Sequence, residues 1–187
     1  MTDDPIRVVR LDDAEAILRI YAPAVRETAA SFELEPPTAD EIRERIKAIL
    51  PRFPWLVFEK DSTVLGYAYA GEYRKRRAYQ WSIETSIYVD ASARRLGVAR
   101  TLYTRLFDIL AKQGFHNAYA VVTLPNPSSV KLHEALGFTH LGTFKKVGYK
   151  LGQWHDVGWW ELAIQPHAAQ PQPPIPFSEI DDCRRGL

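Results

Sequence analysis

Cysteine and long apolar runs are nearly missing from this chain of 187 residues. The one cysteine, Cys183, cannot form a disulfide within the chain or a multi-cysteine metal site, which excludes a disulfide-stabilised secreted domain. No apolar run approaches the roughly 20 residues that span a membrane. The acidic start, Met1 to Pro5, lacks the apolar segment of a signal peptide. These absences predict a cytoplasmic protein with no membrane partner.

An excess of charge of either sign is also missing. The chain has 24 lysines and arginines against 23 aspartates and glutamates, a net charge of +1. This balance gives no overall field that attracts nucleic acid, so no nucleic-acid partner is predicted. What is present is ordinary for a globular protein, with 46% apolar and 25% charged residues. The length suffices for one domain with a hydrophobic core.

The hydrophobic pattern predicts an α/β domain over residues 1–164, with a mixed sheet and the order β-α-α-β-β-β-α-β-α-β-β. Two of its helices have clear start signals. Thr38 to Glu41 has the spacing of a capping box, and Asn126 followed by Pro127 suits an N-cap and a first helical residue. The longest β pattern runs from Tyr79 to Val89.

The composition changes after Ile164. Five prolines occur from Pro166 to Pro176. We interpret residues 165–187 as an extended or mobile proline-rich tail, with Ile175 and Phe177 as the side chains through which it can dock.

A loop between a strand and a helix is the most informative segment. The strand ends at Ile87-Tyr88-Val89, and the loop with Arg94, Arg95 and Gly97 opens the helix. Free N–H groups and the positive end of a helix form an anion site. Gly97 and Ala99 leave room for a diphosphate near the backbone, and Arg100 adds a further charge. A plain turn with surface arginines is the alternative, because short glycine motifs often match by chance.

Two motifs then point to a family. Arg94-x-x-Gly97-x-Ala99 resembles the Gln/Arg-x-x-Gly-x-Gly/Ala motif of the GNAT superfamily of acetyl-CoA-dependent N-acetyltransferases. Asn126-x-x-Ser129 and the following Leu132 to Phe138 resemble the second half of that signature. Ala99 departs from the glycine of the closest relatives, but the wider motif permits alanine.

Further blocks resemble the phosphinothricin N-acetyltransferase family within that superfamily. In order along the chain they are residues 55–57, 66–71, 78–81 with Glu84, 132–138 and 148–158. The resemblance covers about residues 6–164 and leaves the tail outside. It implies a GNAT-type mixed, mostly antiparallel central sheet with helices on both faces, acetyl-CoA as cosubstrate and a homodimer.

Two side chains are candidates for the chemistry. The resemblance puts the catalytic glutamate at Glu84, within a strand whose apolar neighbours would desolvate it and make it a stronger base. An ion pair with an arginine of residues 74–77 is its alternative role. His133 stands where many GNAT enzymes carry a tyrosine near the sulfur. It can protonate a thiolate or orient a water, or it can be a hydrogen-bonded histidine at the core edge.

The resemblance also implies the residues that bind acetyl-CoA. The backbone of the strand would pair with the pantetheine arm. Asn126 would hold one of its amides with help from Ser129, although an N-cap role competes for the same side chain. The complete predicted set is Ile87, Tyr88, Val89, Arg94, Arg95, Leu96, Gly97, Val98, Ala99, Arg100, Asn126 and Ser129.

The predicted substrate-binding residues are Phe32, Arg74, Arg76 and Tyr79. Arginine pairs bidentately with carboxylate or phosphinate, and a tyrosine hydroxyl adds a hydrogen bond. A solvated basic loop and a core aromatic are the alternative roles. His155 and Asp156 lack a third ligand at a telling spacing, so no metal is predicted.

The leading hypothesis is an enzyme that acetylates the α-amino group of a small amino acid such as phosphinothricin by direct transfer, with Glu84 as general base. Methionine sulfoximine, methionine sulfone or another amino acid is the alternative acceptor. A non-catalytic CoA-binding module is the alternative from a different class.

Overall fold

A seven-stranded sheet forms the centre of the protein, whose computed structural model describes residues 4–180. The strands are β1 (Ile6–Val8), β2 (Trp55–Lys60), β3 (Thr63–Glu72), β4 (Ser82–Val89), β5 (Asn117–Leu124), β6 (Thr139–Lys150) and β7 (Gln153–Ala163). Their order across the sheet is β1-β2-β3-β4-β5-β7-β6. Within the described residues only β4 and β5 pair in parallel. Cys183 lies outside those residues.

Helices cover both faces of the sheet. They are α1 (Ala14–Glu27), α2 (Ala39–Ile49), α3 (Val98–Gln113) and α4 (Pro127–Ala135). The α1 and α2 helices bury Ile17 and Ile46 against one face, while α3 buries Leu102 and Leu106 against the other. This arrangement confirms the predicted mixed, mostly antiparallel sheet with helices on both faces.

The predicted N-terminal caps are present at two helices, α2 and α4. Thr38 accepts a hydrogen bond from the Glu41 N–H, and the Glu41 carboxylate accepts one from the Thr38 N–H, as the capping box predicts. Asn126 caps α4 ahead of Pro127. The strand predicted from Tyr79 begins instead at Ser82, because residues 77–79 form a 3₁₀ turn.

The sheet opens between β4 and β5. These strands pair only over residues 82–84 and 117–119, and each continues for five more residues without the other. The β4 edge from Thr85 and the β5 edge from Ala120 therefore lack a neighbouring strand on the side of the opening. Such edges can hydrogen-bond to an extended chain that carries amides.

The described part of the proline-rich tail packs against the domain. Phe177 is fully buried in the core on the α3 face, and its N–H donates to the Arg52 carbonyl at 3.2 Å. The Gln113 side-chain amide donates to the carbonyls of Arg52 and Ile175. Up to Ile180 the tail is thus extended and docked on the domain. Docking occurs through Phe177, whereas Ile175 stays 41% exposed.

Candidate active site

A cavity of about 1480 Å³ lies at the opening between β4 and β5. Its walls include residues 85–91 after Glu84 and residues 120–124 of β5. The second half of α1 and the segment after it, the start of α3, the α4 helix, and Leu151, Gln153 and His155 of the β6–β7 hairpin also line it. Thr85 and Ile87 belong to the α3 face of the sheet, whereas Ser86 and Tyr88 belong to the α1 face. The cavity therefore connects the two faces.

The predicted anion loop borders this cavity. Gly97 has φ +83° at the N-cap of α3, and a methyl group built on it would meet no atom within 4 Å. Glycine adopts this left-handed conformation without the penalty of a side chain. Because α3 begins directly afterwards, the N–H groups of its first turn face outward without helical partners. The loop thus offers backbone donors and open space at one point.

Charged side chains surround those donors. Arg94, Arg95 and Arg100 line the cavity, as do Val98 and Ala99 of the first turn. Leu96 differs from its neighbours, since it is 71% exposed. Its predicted contribution is therefore reduced to that of its backbone.

The α4 helix contributes polar groups on the opposite wall. The Asn126 Oδ1 accepts the Ser129 N–H at 3.2 Å, so this oxygen serves as the helix cap. Only the Nδ2 group of Asn126 remains to donate to a ligand. Both residues line the cavity.

His133 is buried on α4 beside a tyrosine that the sequence did not single out. Its Nδ1 donates to the Ser129 carbonyl at 2.8 Å, and its Nε2 lies 3.3 Å from the hydroxyl of Tyr103. The carbonyl contact places the proton on Nδ1, so Nε2 accepts from Tyr103. Burial lowers the pKa of His133, which favours the neutral ring, and raises the pKa of Tyr103.

The hydroxyl of Tyr103 also lies 3.4 Å from Thr85 Oγ1 at the opening of the sheet. Tyr103, Thr85 and His133 all border the cavity. The helical spacing of α3 identified its apolar face but gave no sign that Tyr103 reaches across the sheet end to α4. That contact depends on how two helices pack, which no local motif records.

Glu84 is the last residue of β4 that pairs with β5, opposite Tyr119. Strand alternation places its side chain on the α1 face, beside Tyr69 and Ser86. Burial raises the pKa of Glu84, while the nearby charge of Arg74 opposes this rise. No ion pair joins Glu84 to an arginine among residues 4–180. Glu84 is therefore a half-buried carboxylate with a raised pKa, and its role as the base stays a prediction.

Arg74 lies over an aromatic wall near Glu84. Its guanidinium carbon is 4.8 Å from the centre of the Tyr73 ring and 5.8 Å from that of Trp159. Such cation–π contacts hold an arginine in place without neutralising it.

Arg76 and Tyr79 occupy a neighbouring position. They line a second cavity of about 300 Å³ together with Arg52 and Glu72, which form an ion pair at 3.1 Å. Arg74 also lines this second cavity. The predicted substrate residues therefore split, with Arg74 close to Glu84 and Arg76 further along the exposed loop.

Phe32 lies in the segment between α1 and α2 and is 40% exposed. Its ring packs so closely on Gly148 that a methyl group there would overlap it. The preceding residues 28–30 border the larger cavity. The Phe32 ring also lies 6.2 Å from that of His155, which lines the cavity. Phe32 is thus an exposed aromatic beside the cavity, and not a core residue.

His155 and Asp156 are engaged within the β6–β7 hairpin. His155 Nε2 donates to the Lys150 carbonyl at 3.0 Å, and Asp156 accepts from Lys145 and the Lys146 N–H. Residues 4–180 contain no group of three or more potential metal ligands. In the same range, no helix has the length and apolarity needed to cross a membrane.

Comparison with known protein families agrees with the fold and the site described above. The model of the acetyltransferase (GNAT) domain matches residues 6–159. The chain belongs to the GNAT acetyltransferase family. It is accordingly an N-acetyltransferase that uses acetyl-CoA.

Individual relatives indicate which type of GNAT N-acetyltransferase the chain is. A phosphinothricin N-acetyltransferase from Streptomyces viridochromogenes is 41% identical over 94% of this chain and 95% of its own length. An L-methionine sulfoximine/L-methionine sulfone acetyltransferase from Salmonella typhimurium is 34% identical over 88% and 96% of the two chains. The crystal structure of a phosphinothricin acetyltransferase from Sinorhizobium meliloti with acetyl-CoA has a TM-score of 0.86, with 33% identity over 89% and 92%. The GNAT enzyme described here is therefore of this phosphinothricin and methionine sulfoximine acetyltransferase type.

Proposed function

We propose that this enzyme acetylates the α-amino group of a small amino acid that carries a second anionic or strongly polar tetrahedral group, as phosphinothricin does. The main support for this proposal is the placement of Glu84. Its partly buried carboxylate lies at the point where β4 and β5 separate, and Arg74 is close enough to influence its pKa. An amine at this point would lie next to both a base and the cavity between the strands.

Acetyl-CoA supplies the acetyl group as a thioester, and the residues of the larger cavity fit it. The first turn of α3 with Gly97 holds the diphosphate, helped by Arg94, Arg95 and Arg100. The unpaired edge of β4 over Ile87 to Val89 hydrogen-bonds to the amides of the arm. The Nδ2 group of Asn126 donates from the opposite wall.

Glu84 removes a proton from the ammonium group of the acceptor, directly or through a water. Its raised pKa makes it a stronger base than an exposed glutamate, whose pKa is about 4.3. The free amine then forms the new C–N bond as the C–S bond breaks. The sulfur leaves with the electron pair of that bond. The nitrogen is positively charged once the C–N bond has formed, and its second proton is transferred to the thiolate, so the products are the amide and free CoA thiol.

Tyr103 donates its single hydroxyl proton to His133 Nε2 before the reaction, and this hydroxyl rotates the proton toward the departing sulfur as the C–S bond breaks. This division of roles follows from the neutral state of His133, whose Nε2 accepts and has no proton to give. Tyr103 keeps its proton because burial raises its pKa.

Arg74 pairs with the carboxylate or the tetrahedral group of the acceptor, and Arg76, Tyr79 and Phe32 extend the acceptor site. Binding energy used in this way fixes the amine near the thioester, which lowers the barrier through orientation. Cationic amines would meet these arginines unfavourably.

The test is a thiol-release screen with acetyl-CoA. Its acceptors are phosphinothricin, methionine sulfoximine, methionine sulfone, the common amino acids, spermidine and kanamycin. We expect the first three to have the highest kcat/KM. Higher activity with spermidine or kanamycin would contradict the acceptor assignment. Acetyl-CoA binding without thiol release for any amine would indicate a CoA-binding module.

We also propose that the enzyme is a homodimer. Exposed apolar side chains cluster on the edge strand β6 and the adjoining hairpin, where Leu141, Phe144, Val147, Tyr149 and Trp154 are 50–60% exposed. Such a patch is unusual for a monomer and typical of an interface. Light scattering that gives twice the chain mass would support the dimer. The cytoplasmic location stays a prediction.

A further inference from the structure

Lys150 is a buried cation that the catalytic scheme does not use. It is 4% exposed, and within residues 4–180 it forms no ion pair with a carboxylate. Its Nζ donates instead to two carbonyl oxygens, those of Val25 and Ser31, each at 2.6 Å. A buried ammonium is unfavourable unless it is well hydrogen-bonded, so this arrangement needs a reason.

The position of Lys150 is fixed by a tight hairpin turn. Lys150 ends β6 and pairs with Gln153 at the start of β7. Leu151 and Gly152 between them both have positive φ, 51° and 78°, as a type I′ turn requires. The His155 ring donates to the Lys150 carbonyl on the same hairpin. The lysine side chain therefore projects from a rigid support.

The two carbonyls belong to the end of α1 and to the segment that follows it. The Val25 carbonyl lies in the last turn of α1, where helical carbonyls lack partners and the helix dipole favours a cation. The Ser31 carbonyl immediately precedes Phe32. Ser31 is itself buried, and its hydroxyl lies 2.7 Å from that of Tyr21. Lys150 thus joins the β6–β7 hairpin to the 28–34 segment.

The same strand supports the Phe32 ring directly. Gly148 lies two residues before Lys150, so both face the same side of β6. The absence of a side chain at Gly148 makes room for the Phe32 ring. His155, which pairs with Gly148, has its ring 6.2 Å from that of Phe32.

We propose that Lys150 is a positioning residue for the acceptor: by holding the Ser31 carbonyl, it fixes Phe32 against Gly148 at the edge of the cavity. This inference rests on the proposed function, in which Phe32 contacts the amino acid. Because the 94–100 loop belongs to other elements of the fold, we expect Lys150 to leave the diphosphate site unchanged.

The test compares Lys150→Met with Lys145→Met. Lys145 lies on the same strand, but its side chain is 75% exposed and pairs with Asp156. In Lys150→Met we expect the KM for the best amino acid to rise and kcat/KM to fall about tenfold or more. The acetyl-CoA dissociation constant should stay at the wild-type value. Amide hydrogen exchange over residues 28–34 should accelerate in Lys150→Met and not in Lys145→Met.

A second pair of variants tests the ring without touching the lysine. Gly148→Ala displaces Phe32, whereas a methyl group at Gly142 on the same strand meets no atom within 4 Å. Gly148→Ala should raise the acceptor KM, and Gly142→Ala should not. This pair of variants shows whether the position of the Phe32 ring affects acceptor binding, even if Lys150→Met fails to fold.

Coupling distinguishes positioning from general support of the fold. Adding Lys150→Met to Phe32→Ala should lower kcat/KM much less than Lys150→Met lowers it alone, because both changes remove the same contact. Full additivity, or a wild-type acceptor KM in both Lys150→Met and Gly148→Ala, would overturn the proposal. Wild-type enzyme that acetylates no amino acid would overturn the proposed function and the acceptor role with it. The exchange comparison would still decide whether Lys150 anchors the segment.

Discussion

Two arginine-containing loops border the proposed site, and they are built differently. The 94–100 loop presents backbone N–H groups at the start of α3, with Gly97 in a left-handed conformation and arginines around it. The 74–79 loop presents exposed side chains, with Arg74 lying on Tyr73 and Trp159. The first offers a fixed set of donors to a phosphate. The second offers cations whose identity can change without altering the backbone.

The difference separates what the two loops can recognise. Backbone donors depend on the loop conformation, so they suit a cosubstrate that stays the same. Side-chain cations can be exchanged singly, so they suit an acceptor that varies within a family. Glu84 stands between the two regions, and its substitution should have the largest effect.

Glu84→Gln keeps the shape of the side chain and removes the base. We expect turnover to fall by roughly 10²–10⁴-fold at neutral pH, with a normal acetyl-CoA dissociation constant. Higher pH should partly restore turnover, because more of the acceptor amine is then already deprotonated. Steady-state kinetics across pH test this, and wild-type turnover at neutral pH would place the base elsewhere.

Arg74→Ala tests the side-chain region. Losing one charge-assisted contact costs about 1.5–3 kcal/mol. Because Arg74 is exposed, we expect a cost at the lower end of this range. That cost corresponds to a fall of about tenfold in kcat/KM for phosphinothricin. Arg77→Ala is the control within the same basic run. Arg76→Ala should fall between them, because Arg76 belongs to the proposed acceptor site but, unlike Arg74, does not influence the pKa of Glu84. Equal losses in all three variants would indicate a general effect of loop charge.

The smallest effect concerns pH. Burial raises the pKa of Glu84 and Arg74 lowers it, so removing the charge of Arg74 should raise that pKa further. A base must be deprotonated, so kcat/KM falls as pH drops through its pKa. In Arg74→Gln the acidic limb of the kcat/KM profile should therefore move to higher pH. A limb that moves to lower pH would contradict the placement of Arg74 beside Glu84.

Local patterns predicted the parts of this protein that depend on neighbours in sequence. The capping box at Thr38, the N-cap at Asn126 and the loop at Gly97 each arise within a few residues. Their local geometry could therefore be predicted from short motifs, and the order of elements followed from hydrophobic periodicity.

The remaining features depend on contacts between distant segments. Lys150 meets Val25 and Ser31 more than a hundred residues away in sequence, and Tyr103 meets His133 across two helices. Phe177 could be named as a docking residue from the sequence, but the place where it is buried, near Arg52 and the end of α3, could not. No composition or spacing rule records these pairs, because they exist only after the sheet and its helices have packed.

The central claim is that the cosubstrate and the acceptor are held by separate regions, and calorimetric titration of acetyl-CoA tests it most directly. Gly97→Asp places a carboxylate beside the phosphates and should weaken binding about ten- to a hundredfold. Gly97→Ala imposes at least as much strain at positive φ without the charge, so it should weaken binding much less if the charge is what matters. Arg74→Ala should bind acetyl-CoA as the wild-type enzyme does. An unchanged dissociation constant in Gly97→Asp, or a loss of equal size in Arg74→Ala, would contradict the account.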